Sequence, residues 1–409
     1  MKKNKQDHSW KLTKLGDISE EVMYGMNSQS THYDGKHKYI RITDIDEKTH
    51  KYNPSPLTSP QGVIDDKFQL KTSDILFART GASVGKSYLY EKKDGNLFFA
   101  GFLIKFSIIK ADSKYIFYQT LLDSYDKWVK SISVRSGQPG INAEEYKTLP
   151  ILLPPFPEQE KIVEVLETWD EYLEKLSKKI RLKKRSKKGL MLNLITSKIR
   201  INHFKDKWNT LKLGEICTRL KRKNTETNTN ILTISAQQGL VNQGNYFNKQ
   251  IASINLTKYS LLHRGDFAYN KSYSKGYPMG AIKRLKKYSK GIVSSLYITF
   301  ETTKKVNPEF LEYYFNCGTF NKEIGKTAQE GARNHGLLNI GINDFFDCDL
   351  HIPSLPEQTA IAEILEAADN EIELLEKKRH LIEAQKKFLL NNLITGKIRL
   401  PEFVQKKDP

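Results

Sequence analysis

The stretch closest to a chemical signature is Arg79-Thr80-Gly81-Ala82-Ser83-Val84-Gly85-Lys86-Ser87. A glycine-rich loop ending in Gly-Lys-Ser is how many nucleotide-binding folds cradle phosphate, with backbone N–H groups and a lysine. That loop needs four residues between its first glycine and the Gly-Lys pair. Here Gly81 and Gly85 enclose only three, and Thr80 stands where the first glycine belongs. The pattern fits a glycine turn after a strand at 75–78 that brings Arg79, Thr80, Ser83 and Lys86 near a phosphate backbone. An ordinary turn would read the same way, and a nucleotide-dependent enzyme is the rival reading.

Three further polar loops could read nucleic acid. Asn270, Lys271, Ser272, Tyr273, Ser274 and Lys275 mix amide, cation, hydroxyl and aromatic groups at the place in the second half of the chain that corresponds to the glycine turn. Residues 133–142 offer Arg135, Gln138 and Asn142, and residues 331–336 offer Arg333, Asn334 and His335. Arginine pairs with guanine edges, and glutamine or asparagine with adenine edges. No catalytic constellation stands out. There is no Asn-Pro-Pro-Tyr motif for amino methylation and no glycine loop for a methyl-donor cofactor. Asp65-Asp66-Lys67 and Asp46-Glu47-Lys48 could mimic a nuclease Asp-x-Lys, but such triplets arise by chance in a chain that is 28% charged. His32 and His37 lack further ligands for a metal. No catalytic residue, metal or cofactor is expected.

Composition narrows the class. The 409 residues suit two to four domains. Sixty-six Lys and Arg against 47 Asp and Glu give a net charge of +19, which points to a polyanionic partner, nucleic acid first and an anionic membrane surface second. No apolar run is long enough to span a membrane, and three scattered cysteines without a Cys-x-x-Cys pair suit a reducing cytoplasm.

The elements that must position these loops follow from an internal repeat. Residues 154–200 and 353–399 align without a gap at an offset of 199, with about half the positions identical. PEQ at 157–159 answers PEQ at 356–358, and LITSKIR at 194–200 answers LITGKIR at 393–399. The preceding blocks match weakly: KLGDI (14–18) answers KLGEI (212–216), and SDILFA (73–78) answers GDFAYN (265–270). The chain therefore divides into a disordered basic tail at 1–9, a variable domain at 10–153, a helical spacer at 154–200 and a linker at 201–207. A second variable domain at 208–352, a second spacer at 353–400 and a tail at 401–409 follow.

Each spacer reads as one long helix, 157–200 and 356–399, with an apolar residue every three or four positions. Leu166, Leu173, Leu176 and Ile180 in the first copy, and Leu365, Ile372, Leu375 and Ile382 in the second, form the pairing seam. Lys183, Lys187, Arg379 and Lys386 interrupt it. Ser354 and Glu357 suit a capping box, Gly396 suits a helix end, and Gly189 offers a kink. Each helix is acidic in its first half and basic in its second. Antiparallel pairing sets opposite charges against each other, and many weak pairs of one sign bias orientation. The expected fold class is α+β: two mixed domains, each followed by a long helix, the helices pairing as an antiparallel coiled coil with pseudo-twofold symmetry. Two unlike basic domains so related match two half-sites on a duplex.

The layout resembles the specificity subunit of type I restriction–modification systems. SDILFARTGASVGK (73–86), GDFAYNKSYSKGYPMGAIK (265–283), LPPFPEQEKI (153–162), IPSLPEQTAI (352–361) and the paired LITSKIR and LITGKIR endings carry the resemblance. It implies a cytoplasmic, non-catalytic subunit whose two target-recognition domains read a split, asymmetric DNA site. It also implies that the helices act as a ruler for the gap, and that two methyltransferase and two restriction (translocase) subunits are partners. A basic scaffold that binds nucleic acid without sequence choice is the other alternative.

Overall fold

The computed structural model describes residues 10–235, 238–244, 256–273, 276–327, 329–330 and 338–404. Both expected tails lie wholly or partly outside these residues: 1–9 entirely, and 405–409 of the second. The chain forms two compact units, one from residues 1–177 with 378–409, the other from 178–377.

In the first unit, strands β1 (Lys11–Lys14), β2 (Ser19–Tyr24), β3 (Asp74–Ala78), β4 (Ser87–Leu89) and β5 (Leu103–Ile108) precede three short helices, α1 (Ser113–Gln119), α2 (Asp123–Ile132) and α3 (Ala143–Lys147). Strand β6 (Pro150–Leu153) then returns to pair with β1 and leads into the long helix α4 (Phe156–Ile195). The main sheet has the order β2-β5-β3-β4, all antiparallel. Successive side chains of a strand face opposite sides. Ile75 and Phe77 therefore enter a core with Tyr115, Tyr125 and Tyr146 of the helices, while Leu76 and Ala78 enter a second core with Ile40, Leu97 and Phe99.

The second unit repeats this plan in different residues. Strands β7 (Asn209–Lys212), β8 (Cys217–Arg219), β9 (Phe267–Asn270), β10 (Ala281–Arg284) and β11 (Ile298–Thr302) are followed by α5 (Pro308–Asn316), α6 (Asn321–Thr327), α7 (Ile342–Phe346), β12 (Asp349–Ile352) and the long helix α8 (Leu355–Leu393). The sheet order is β8-β11-β9-β10, and β7 pairs with β12 as β1 does with β6. Phe267 and Tyr269 face the larger core, and Ala268 faces the smaller one.

The long helices end earlier than their sequence pattern suggests. α4 stops at Ile195 and α8 at Leu393, because Ser197 and Gly396 take left-handed backbone conformations, φ 56° and 67°. The Lys-Ile-Arg endings are therefore turns, freed from the helix to make contacts of their own. Gly189 produces no break, since α4 is continuous across it. Glu357 is taken by an arginine rather than by a capping box.

Each unit contains a stretch of both long helices, and the stretches run antiparallel. In the first unit, Glu158 of α4 holds Arg399, just past α8, at 2.5 Å, and further along α4 Asp170 holds Lys386 at 2.5 Å. In the second unit, Lys187 pairs with Asp369 at 2.5 Å, Lys183 with Glu371 at 2.8 Å, and Arg200 with Glu357 at 2.7 Å. As numbers rise on one helix they fall on the other. Three of the four seam interruptions, Lys183, Lys187 and Lys386, are thus cations aimed at the facing helix, while Arg379 lies 3.8 Å from Glu383 of its own helix. Of the expected seam, Leu166, Leu176, Ile180, Leu365 and Ile372 are buried, and Leu173, Leu375 and Ile382 are half-buried.

Candidate nucleic-acid interface

Each sheet presents a loop cluster at the end of its second strand in chain order, β3 or β9. The strands start from matching anchors. Asp74 accepts a hydrogen bond from the Lys71 N–H at 2.7 Å, and Asp266 one from the His263 N–H at 2.6 Å. Burial raises both carboxyls above the usual range, chiefly by desolvation.

In the first unit the glycine turn and the 133–142 loop come together. Thr80 bridges to Gly140, the Gly81 N–H donates to the Pro139 carbonyl at 2.9 Å, and the Ile141 N–H donates to that of Arg79 at 2.9 Å. Gly81 has φ 76°, and a Cβ there would stand 2.9 Å from the Gln138 side-chain nitrogen, so glycine lets the two loops close. Gln138 itself is exposed. Arg79 lays its guanidinium 4.9 Å over the Tyr24 ring, and the Tyr24 hydroxyl accepts from the Ala143 N–H at 3.0 Å. Nothing local in the sequence marks Tyr24 as part of this cluster, because strand pairing across more than fifty residues puts it there.

Several predicted contacts are turned to structural use. Lys86 points inward: its ammonium donates to the Ile45 carbonyl at 3.1 Å and lies 3.6 Å from Glu47, with the side chain only 11% exposed. It is therefore not presented to a phosphate. Arg135 binds the Ile132 and Val134 carbonyls and the Glu145 carboxylate, so its charge is largely neutralised within the protein. Asn142 caps α3, accepting from the Glu145 N–H at 2.9 Å while Glu145 accepts from the Asn142 N–H. Ser83 ends a single 3-10 turn, Gly81–Ser83, and strand β4 follows. A phosphate-binding loop of the nucleotide type opens onto a helix. The strand–turn–strand arrangement here is therefore not that of a nucleotide-binding phosphate loop.

In the second unit, Asn270 accepts from the Ser272 N–H at 3.0 Å and Lys271 offers its carbonyl to the Leu338 N–H at 3.1 Å. Both Lys271 and Ser272 are half-buried, whereas Tyr273 is 61% exposed. Ser274, Lys275, Arg333, Asn334 and His335 lie outside the described residues. Lys283, on β10, is buried, which lowers its ammonium from the usual range; it donates to Asn316 at 2.6 Å. Among the described residues no three His, Cys, Asp or Glu side chains gather as metal ligands, and no helix is long and apolar enough to cross a membrane.

The joints below these loops are the same in both units. The Glu158 carboxylate, 1% exposed, takes Arg399 at two nitrogens, with Trp10 beside that guanidinium at 5.5 Å. Glu357, also 1% exposed, takes Arg200 at two nitrogens, with Trp208 at 5.9 Å. Gln159 accepts from the Asp112 N–H and donates to the Pro154 carbonyl; Gln358 does the same with Asn307 and Pro353. Asp170 carries Lys386 and the Tyr118 hydroxyl, as Asp369 carries Lys187 and that of Tyr313. The PEQ and Lys-Ile-Arg motifs are thus two ends of one joint, each PEQ meeting the arginine that follows the other helix.

Comparison with known proteins agrees. The family model described as type I restriction modification DNA specificity domain matches twice, at residues 8–184 and 205–384. The type I restriction enzyme MjaVIII specificity subunit of Methanocaldococcus jannaschii is 27% identical over 362 residues, covering 80% of each chain. A putative type I restriction enzyme MjaX specificity subunit of the same organism is 25% identical over 413 residues, covering 96% of this chain and 94% of that one. Among solved structures, a chain from work on complex assembly and conformational transition of the type I R-M system has a TM-score of 0.55 at 14% identity, covering 97% of this chain and all of that one. The S subunit of a type I restriction–modification system from M. genitalium has a TM-score of 0.53 at 15% identity, covering 96% and 97%. At such identities the structural likeness speaks for the fold alone. With two family matches spanning most of its length, the chain belongs to the DNA-binding specificity subunits of type I restriction–modification systems.

Proposed function

We propose that the chain reads a bipartite, asymmetric DNA sequence and carries no catalysis of its own. The module at 10–153 reads one half-site and the module at 208–352 the other. Helices α4 and α8 set the gap and hold methyltransferase subunits, to which restriction subunits join. The observation that carries this reading is one fold plan built twice on identical joints but with unlike loops. Duplication with a conserved frame and divergent loops is what two different half-sites demand.

The test is methylome sequencing of cells with and without this chain and its methyltransferase. A bipartite motif should vanish with the chain. Exchanging residues 10–153 for another variable block should change one half of that motif and leave the other. A change in both halves defeats the modular assignment. Inserting four residues, about one turn or 6 Å, in the middle of α4 should alter the tolerated gap or abolish methylation; an unchanged gap removes the ruler role.

A further inference from the structure

A second feature repeats between the units although its residues differ. In the first unit a tight turn closes with the Leu103 N–H donating to the Ala100 carbonyl at 2.9 Å, immediately before β5. In the second, the Tyr297 N–H donates to the Ser294 carbonyl at 3.1 Å, immediately before β11. Register makes these turns equivalent. Ile75 pairs with Phe106 and Phe267 with Phe300, so counting back four residues in each strand brings Phe102 and Leu296 to the same place. Phe102 is 60% exposed and Leu296 is 70% exposed, and neither joins a core.

Each turn also has a basic residue level with it just past the neighbouring strand, and the Arg79 guanidinium lies 4.9 Å over the Tyr24 ring. Ala78 pairs with Leu103, and the Arg79 N–H donates to the Phe102 carbonyl at 3.1 Å. In the second unit Tyr269 pairs with Ile298, so two residues further Lys271 comes level with Leu296. Single exposed apolar side chains are ordinary on protein surfaces. Here two large ones occupy one structural position, while the turn changes from Ala-Gly-Phe to Ser-Ser-Leu.

We propose that Phe102 and Leu296 are equivalent wedges that enter the base stack of duplex DNA, one in each half-site, with Arg79 and Lys271 holding the neighbouring phosphates. This rests on the bipartite reading above. Phe and Leu are among the side chains that proteins insert between base steps, and the unstacking they cause is offset by the closer approach it permits. The adjacent cations select an anionic occupant over an apolar protein surface. The wedge also gives each module a means of reading step flexibility without a base-edge hydrogen bond.

The experiment uses the full chain with its methyltransferase and a duplex carrying the motif found by methylome sequencing. The duplex has 2-aminopurine at successive positions other than the methylated base. Unstacking raises the fluorescence of this base analogue, and the wild-type complex should show such a rise at one step in each half-site. Phe102→Ala should abolish the rise in the half-site assigned to residues 10–153 only, and weaken binding about tenfold. Leu296→Ala should do the same in the other half-site only. Phe102→Leu and Leu296→Phe, which keep an apolar wedge, should retain the rise and show that the turns still fold. An undiminished rise in both alanine variants overturns the wedge. So does loss of methyltransferase co-purification with fluorescence unchanged, since the turns would then dock protein. Failure of the wild-type complex to bind the duplex at all rejects the bipartite reading and the wedge together.

Discussion

The helix joints and the strand-end loops are two regions under opposite demands. At the joints, Glu158, Gln159, Asp170 and Arg399 of one unit are matched residue for residue by Glu357, Gln358, Asp369 and Arg200 of the other, with nearly the same distances. At the loops, Arg79 to Lys86 and Lys271 to Gly280 share little beyond a preceding strand and a glycine-bearing turn. A buried carboxylate tolerates little change, because removing its partner leaves a charge that water cannot reach. A loop at a strand end bears no such load and is free to change what it reads.

The largest expected effect tests the joints. Arg399→Ala leaves Glu158 buried without its bidentate partner and should cost about 3–5 kcal/mol of stability in urea unfolding, and Arg200→Ala should match it. A loss below about 1 kcal/mol in either would mean that the joint is replaceable and the comparison is weaker than the geometry suggests. Next comes the loop side. Gln138→Ala should leave the unfolding midpoint unchanged yet relax discrimination at one base pair of one half-site by about 1–3 kcal/mol, measured by competition among single-substituted duplexes.

A smaller effect is expected at the middle of the joints. Lys386→Met and Lys187→Met each remove one partly exposed ion pair while the tyrosine partners of Asp170 and Asp369 remain. Each should cost about 1 kcal/mol, and unequal losses would show that the two units are not energetic copies. The smallest effect separates two neighbours within one loop. Arg79→Ala should reduce the slope of log affinity against log salt by about one, whereas Lys86→Ala should leave it unchanged because that ammonium is held by the Ile45 carbonyl. A reduced slope for Lys86→Ala would show that it turns outward on DNA.

The gap-free repeat made the duplication, the long helices and their direction legible, since periodicity and charge order are properties of neighbouring residues. Helix ends were less so. LITSKIR reads as helix by composition, yet the left-handed backbone at Ser197 releases Arg200 to reach Glu357. The loops were legible as loops, but not in their roles. Lys86, Arg135 and Asn142 have the right chemistry to bind DNA and are occupied by an inward carbonyl, a carboxylate and a helix cap.

The linear order of residues by itself determined that this protein is a doubled module with paired amphipathic helices, because those signals repeat at fixed short spacing. Only the tertiary structure decided which polar side chains are still free. Hydrogen-bond partners such as Ile45 for Lys86, Tyr24 for Ala143 and Arg399 for Glu158 are separated by tens to hundreds of residues. A side chain's availability is set by what folding places beside it, since a buried donor or acceptor takes the nearest partner before any ligand arrives.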